Sequence, residues 1–175
     1  ILAIGRYTYQ KGFDLLLPAW KKVSEKHPDW QLVIHGDGER TGYQKQADEL
    51  GLSHDTCRLE SNTAQVAEEM AESSIFVLSS RYEGMPMVLG EAMTCGIPPV
   101  SFTCPCGPRD IITDGEDGVL VENGNTDQLA EKLNFLIENE NIRKQMGEKA
   151  VMNVRRFNLE NIMQKWDELF NSILP

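Results

Sequence analysis

Short apolar runs alternate along this chain with longer stretches in which apolar residues recur every three or four positions. Ile75 to Leu78 is apolar without a break, as a parallel strand covered on both faces is. Ile1 to Gly5, Gln31 to His35, Pro99 to Phe102 and Gly118 to Val121 read as further strands, and Cys57 to Glu60 as a short one. Phe13, Leu15, Leu16, Leu17, Ala19, Trp20 and Val23 define an amphipathic helix that runs to about His27, where Pro28 stops it. Gln44 to Leu50 reads as a helix ended by Gly51, and Thr63 to Glu72 as one capped by Asn62 or Thr63. Behind Pro86, which suits a first helical position, Val88, Leu89, Ala92 and Met93 recur at helical spacing until Gly96. Leu129, Leu133, Leu136 and Ile137 line one face of Asp127 to Glu138. Two more amphipathic helices follow, Glu140 to Phe157 and Leu159 to Leu174, whose Met, Phe and Trp residues the pattern assigns to a core.

This alternation predicts an α/β fold, a Rossmann-like doubly wound, mostly parallel sheet, formed by one domain over residues 1–175. Ligands on such sheets bind beyond the carboxyl ends of the strands. Arg6, Gly36, Asp37, Glu83 and Gly84 all follow predicted strand ends and are therefore expected on one rim.

Charge narrows the partners. The formal net charge of −10 argues against nucleic acid and against an anionic membrane surface. No apolar run approaches the roughly 20 residues that span a bilayer. Cys104-Pro105-Cys106 has the wrong spacing for zinc, and His27, His35 and His54 form no partner pair, so no metal is expected and the four cysteines are read as reduced thiols. Gly36-Asp37-Gly38-Glu39-Arg40 is not a dinucleotide fingerprint. The chain opens inside an apparent strand without a methionine, and is expected to be a domain of a longer protein.

The chemistry concentrates in Ser74 to Val100. Gly84 is expected to let the backbone turn tightly ahead of a helix, and the free N–H groups of a helix start attract anions. Two carboxylates stand beside it, Glu83 in the loop and Glu91 on the helix; neither can bind phosphate, but both can accept hydrogen bonds from sugar hydroxyls. Near the start, a strand, a loop and a helix carry two cations suited to a diphosphate, Arg6 with its planar fork and Lys11 with a compact charge. The two glycines around Asp37 would let backbone approach a flat ligand.

Glu83 and Glu91 are separated by seven residues within SRYEGMPMVLGEAMTCGIP. Together with IGRYTYQKGFDLL, LVIHGDGER and GEDGVLVENGNTDQLAEKL, this resembles the E-x7-E retaining glycosyltransferases of the GT-B fold (the family 4, group 1 type), in particular their C-terminal donor-binding domain. The resemblance implies a nucleotide-sugar donor held without a metal or other cofactor. Arg6 and Lys11 would neutralise its leaving diphosphate. Gly36 and Asp37, and the backbone of Gly84, Met85, Pro86 and Met87, would lie against the donor. Glu91 would accept from the ribose, and Glu83 would contact the transferred sugar and stabilise charge at the anomeric carbon. The motifs look most like enzymes of capsule, exopolysaccharide or lipopolysaccharide assembly, which implies a UDP-sugar and a cytoplasmic enzyme.

The acceptor, a glycan or a lipid-linked one, would bind an N-terminal domain absent from this chain. That domain would also make any membrane contact, and without it the donor half is expected to transfer nothing. The last helix in the family packs back across to that domain, so Trp166 and Phe170 are expected to be left partly exposed or repacked here. The chain departs from the family pattern at Arg58-Leu59-Glu60-Ser61-Asn62, where an aromatic and a glycine are usual, at Met70 for a tyrosine, and at Asp110 for a glutamate. Alternative readings are another GT-B enzyme, a nucleotide-sugar epimerase or a phosphorylase, or a non-catalytic nucleotide-binding relative. No segment suggests the Schiff-base lysine of a phosphorylase, and Gly5-Arg6 stands where a response regulator has an acidic cluster.

Overall fold

The computed structural model describes residues 1–173. Six strands, β1 (Leu2–Ile4), β2 (Leu32–Gly36), β3 (Cys57–Ser61), β4 (Phe76–Leu78), β5 (Pro99–Phe102) and β6 (Val119–Val121), form one sheet in the order β3-β2-β1-β4-β5-β6. Every pairing is parallel, so the expectation of a mostly parallel sheet resolves to a wholly parallel one. Strand order reverses between β1 and β4, which pair directly with Leu2 opposite Phe76. The loops after these two strands start side by side at the switch point, where such sheets open their ligand crevice.

Helices cover both faces. α1 (Phe13–Ser24), α2 (Thr41–Glu49) and α6 (Thr126–Glu138) bury Phe13, Leu16, Trp20, Ala47, Leu129 and Leu133 against one face. α3 (Val66–Ala71), α4 (Met87–Thr94), the single turn α5 (Pro108–Ile111) and α7 (Glu140–Val154) bury Met70, Leu89, Met93, Ile111 and Ala150 against the other. Each fully buried Leu, Ile, Met or Phe among these contributes about 1.5–3 kcal/mol, so the two layers fix the loops that project from the sheet.

Several helix boundaries differ from the sequence reading for local reasons. Pro18 lies inside α1 and supplies no N–H to the Asp14 carbonyl, which instead accepts from Gln46 Nε2 at 2.9 Å. α1 ends at Ser24, ahead of the expected His27, and α2 begins at Thr41, ahead of the expected Gln44. Thr63 does not cap α3; its hydroxyl accepts from Gln65 N at 3.0 Å in a turn that precedes the helix. Pro86 is the residue before α4 rather than its first residue, and the predicted Cys104-to-Asp110 loop contains the turn α5.

The largest correction is α8 (Leu159–Ile173), none of whose residues is buried. Met163, Trp166, Leu169, Phe170 and Ile173 form an exposed apolar stripe, not core. Trp166 and Phe170 are 48% and 49% exposed and stack with ring centroids 5.6 Å apart, as the family resemblance implied. Leu174, assigned to this helix from the sequence, lies outside the described residues. Among the described residues, no helix is long and apolar enough to cross a membrane.

Candidate functional site

Because the sheet is wholly parallel, the carboxyl ends of all six strands share one edge, and Arg6, Gly36, Asp37, Glu83 and Gly84 stand along it. The loop after β1 closes with a 3-10 turn, Tyr9–Lys11, and Gly12 in the left-handed region before α1 begins. The loop after β4 runs from Ser79 to Pro86. The two loops are sewn together. Arg81 N donates to Gln10 O at 2.8 Å, Ser79 Oγ to Lys11 O at 2.9 Å and Gln10 Nε2 to Tyr82 O at 3.0 Å.

At the centre of this seam Lys11 Nζ lies 2.7 Å from Glu83 Oε1, and the same oxygen accepts from Ser80 Oγ at 2.6 Å. The two side chains are only 17% and 8% exposed, so the pair is screened far less than a surface ion pair. Sequence reasoning gave Lys11 and Glu83 separate tasks; the structure makes them one unit. An ammonium has three N–H donors, and Glu83 takes one, which leaves two to aim at a further anion. The buried Cys104 thiol belongs to the same neighbourhood. Burial first, and then the Glu83 charge, push it up to about 11, so it stays a neutral thiol at physiological pH. Arg6 is exposed on the same rim, and among the described residues no side chain pairs with its guanidinium.

The glycines play other parts than expected. Gly84 is exposed, its φ lies outside the left-handed region, and a Cβ there would meet nothing within 4 Å. It is not needed for a tight turn; it leaves open space in front of α4. The tight approach is made by Gly107, on the loop after β5, where a Cβ would meet Pro86 Cδ at 2.4 Å. Gly36 is buried, and its missing side chain makes room for the Gly5 carbonyl, 2.1 Å from where a Cβ would sit, rather than for a flat ligand. The exposed Asp37 accepts from its neighbour Gly38 N at 2.8 Å.

Among the described residues no side chain caps the start of α4, and its first turn holds no acidic residue; Leu89 N donates to Pro86 O at 3.0 Å, which leaves the N–H groups of Met87 and Val88 at the positive end of the helix. Met85 and Met87 are 56% and 63% exposed beside it. Glu91 is one turn further on, about 6 Å along the axis. It is exposed on the crest between two grooves. One, of about 460 Å³, lies between α3 and α4 and is lined by Ala64, Val66, Ala67, Met70 and Cys95. The other, of about 440 Å³, lies between α4 and the end of α7, against Val154 and Phe157. Among the described residues no group of three or more His, Cys, Asp or Glu is placed to hold a metal.

Four residues of the site carried no legible signal. Tyr7 buries its ring, donates to Ile34 O at 2.8 Å or Glu60 O at 2.9 Å, and is pushed up to about 12, chiefly by burial. Ser80 donates to Glu83 within one loop, three residues away, whereas Asp14 and Arg81 meet across 67 positions of sequence, which spacing cannot show; the Arg81 fork to Asp14, at 2.6 and 2.8 Å, raises the arginine further above its ordinary value.

Comparison with known proteins identifies the family and the fold. The family described as glycosyl transferases group 1 matches residues 1–151. The amylovoran biosynthesis glycosyltransferase AmsD of Erwinia amylovora is 35% identical over 98% of this chain and 48% of its own length. A mutant of Staphylococcus aureus TarM, solved in complex with fondaparinux, alpha-GlcNAc-glycerol and UDP, superposes with a TM-score of 0.88 at 29% identity, covering 97% of this chain and 35% of TarM. The C-terminal domain of LpcC, a glycosyl transferase group 1 family protein of Francisella tularensis, superposes at 0.79 with 25% identity over 89% of this chain and 84% of that domain. The chain spans about half or less of the length of the curated relatives it matches.

Proposed function

This chain belongs to the group 1 glycosyl transferases, and on that premise we propose that it is the donor-binding half of a retaining enzyme that moves a sugar from a UDP-sugar to a glycan or lipid-linked acceptor in surface polysaccharide assembly. The observation that carries the reading is the Lys11–Glu83 pair, 2.7 Å apart and nearly closed to solvent, at the switch point of a parallel sheet. It puts a cation with spare donors beside a carboxylate, as a diphosphate next to its sugar requires. The UDP in the TarM complex supports the choice of nucleotide.

In this reading Lys11 and the exposed Arg6 neutralise the diphosphate as it leaves, so that fixed charge does the work of a metal ion. The N–H groups at the start of α4 and the open space over Gly84 take the phosphates and the sugar. Glu83 faces the anomeric carbon, where its charge stabilises the developing cation. Glu91, at the lip of the groove between α3 and α4, accepts from the ribose, and the base lies along that groove. The acceptor binds the other domain of a two-domain enzyme, the apolar stripe of α8 packs on that domain, and residues 1–175 alone transfer no sugar.

A thermal-shift panel of nucleoside diphosphates and their sugars, run on the protein that carries this chain, tests the reading. UDP at about 100 times its Kd is expected to add roughly 2.7 kcal/mol of stability, and silence of every nucleotide would refute it. Glu91→Gln is expected to weaken UDP by about 1.5–3 kcal/mol with the fold intact, because a charged acceptor is lost. Calorimetry returning wild-type affinity would remove Glu91 from the site.

A further inference from the structure

One side chain of the seam has no part in the reading above. Arg81 Nη1 and Nη2 donate to Asp14 Oδ1 and Oδ2 at 2.8 and 2.6 Å, a two-pronged fork that a lysine cannot make. Nη1 also donates to Tyr9 O at 2.7 Å, and the guanidinium lies 3.9 Å over the Tyr9 ring. Tyr9 opens the 3-10 turn that ends at Lys11, and Asp14 is in the first turn of α1. Arg81 therefore grips the Tyr9 carbonyl before Lys11 and the Asp14 carboxylate after it, while its own chain reaches Glu83 two residues later. The arginine side chain is 18% exposed, and the pair joins the loop after β4 to the first turn of α1, far apart in sequence.

We propose that Arg81 is a positioning residue: it clamps the turn that carries Lys11 against the loop that carries Glu83, and so aims the Lys11 ammonium. That the ammonium is aimed at a diphosphate rests on the donor-site reading. Three hydrogen bonds of the seam, Arg81 N to Gln10 O, Ser79 Oγ to Lys11 O and Gln10 Nε2 to Tyr82 O, do not involve the guanidinium. The loops thus stay adjacent without it, and what is lost is the setting of Lys11.

The test is a double-mutant cycle read by calorimetry with UDP and with uridine, on the protein that carries this chain. Arg81→Ala is expected to weaken UDP about tenfold and to leave uridine unchanged, because only the diphosphate meets Lys11. In a Lys11→Ala background it is expected to have no further effect. Asp14→Ala, which removes the clamp from the other side, is expected to reproduce the result, and Arg81→Lys, which keeps the charge without the fork, to fall between. Equal losses for UDP and uridine, or losses that add to those of Lys11→Ala, overturn the proposal. If Lys11→Ala itself leaves UDP affinity intact, the donor reading fails, and the clamp is decided without ligand by ¹⁵N relaxation of Lys11 Nζ. A loss of order in Arg81→Ala then supports the clamp, and retained order refutes it.

Discussion

Gly12→Ala is expected to destabilise the domain by about 2–5 kcal/mol and to abolish tight UDP binding with it. Gly12 has φ +65, and a Cβ built on it would sit 2.1 Å from the Ser79 carbonyl oxygen. The left-handed conformation alone costs an ordinary residue about 1–2 kcal/mol. Overpacking adds about 1–3 kcal/mol, and here the obstacle is backbone on the other loop, which cannot rotate aside as a side chain can. Relief requires the two loops to part, and that draws Lys11 away from Glu83. Against a total stability of about 5–15 kcal/mol, the change is large. Gly42, at the second position of α2, gives the control, because a Cβ there meets nothing within 4 Å. Gly42→Ala is expected to stabilise by about 0.5–1 kcal/mol. Urea midpoints of the two variants, with the slopes compared, measure both effects. A wild-type midpoint for Gly12→Ala would mean that the two loops do not meet as closely as described.

Gly12 also shows where the sequence stops being legible. The fold could be read because buried parallel strands leave a local mark: Ile75 to Leu78, apolar throughout, contains β4, and the helical spacing after Pro86 is α4. The rim could be read because topology places every strand end on one edge once the sheet is parallel. The conformation of the loops could not. Gly84 sits in the most recognisable motif and is expected to turn the chain, yet the close approaches on the rim belong to Gly12, Gly36 and Gly107, where the obstacle is backbone or a proline from another loop. The fork between Asp14 and Arg81 joins residues 67 positions apart, and neither has a neighbour in the sequence that hints at the other. In α8 the pattern gives an amphipathic helix, as the structure has it, but the apolar face is exposed rather than core. Periodicity reports that a face is apolar, not which surface covers it.

The Lys11–Glu83 pair leads to the second large effect, in which stability and function separate. Lys11→Ala leaves Glu83, 8% exposed, with the Ser80 hydroxyl as its partner and no neutralising charge in contact. Breaking a buried ion pair from one side costs about 3–5 kcal/mol, and the 17% exposure of Lys11 puts this case near the lower end. The penalty comes from the carboxylate left behind, so removing its charge is expected to recover most of it. Lys11→Met combined with Glu83→Gln is expected to melt close to wild type, because an uncharged pair of similar volume carries no desolvation debt. Binding is expected to behave otherwise. Both the single and the double variant lose the cation, so both are expected to weaken UDP far more than uridine, by about 1.5–3 kcal/mol of charge-assisted hydrogen bonding. Arg6→Ala, whose guanidinium is exposed, is expected to show the same preference for UDP over uridine with little change in melting. Differential scanning calorimetry and titration on the same four proteins separate the two effects. If the double variant recovers UDP affinity along with its melting temperature, Lys11 serves the fold alone and the diphosphate is held elsewhere on the rim.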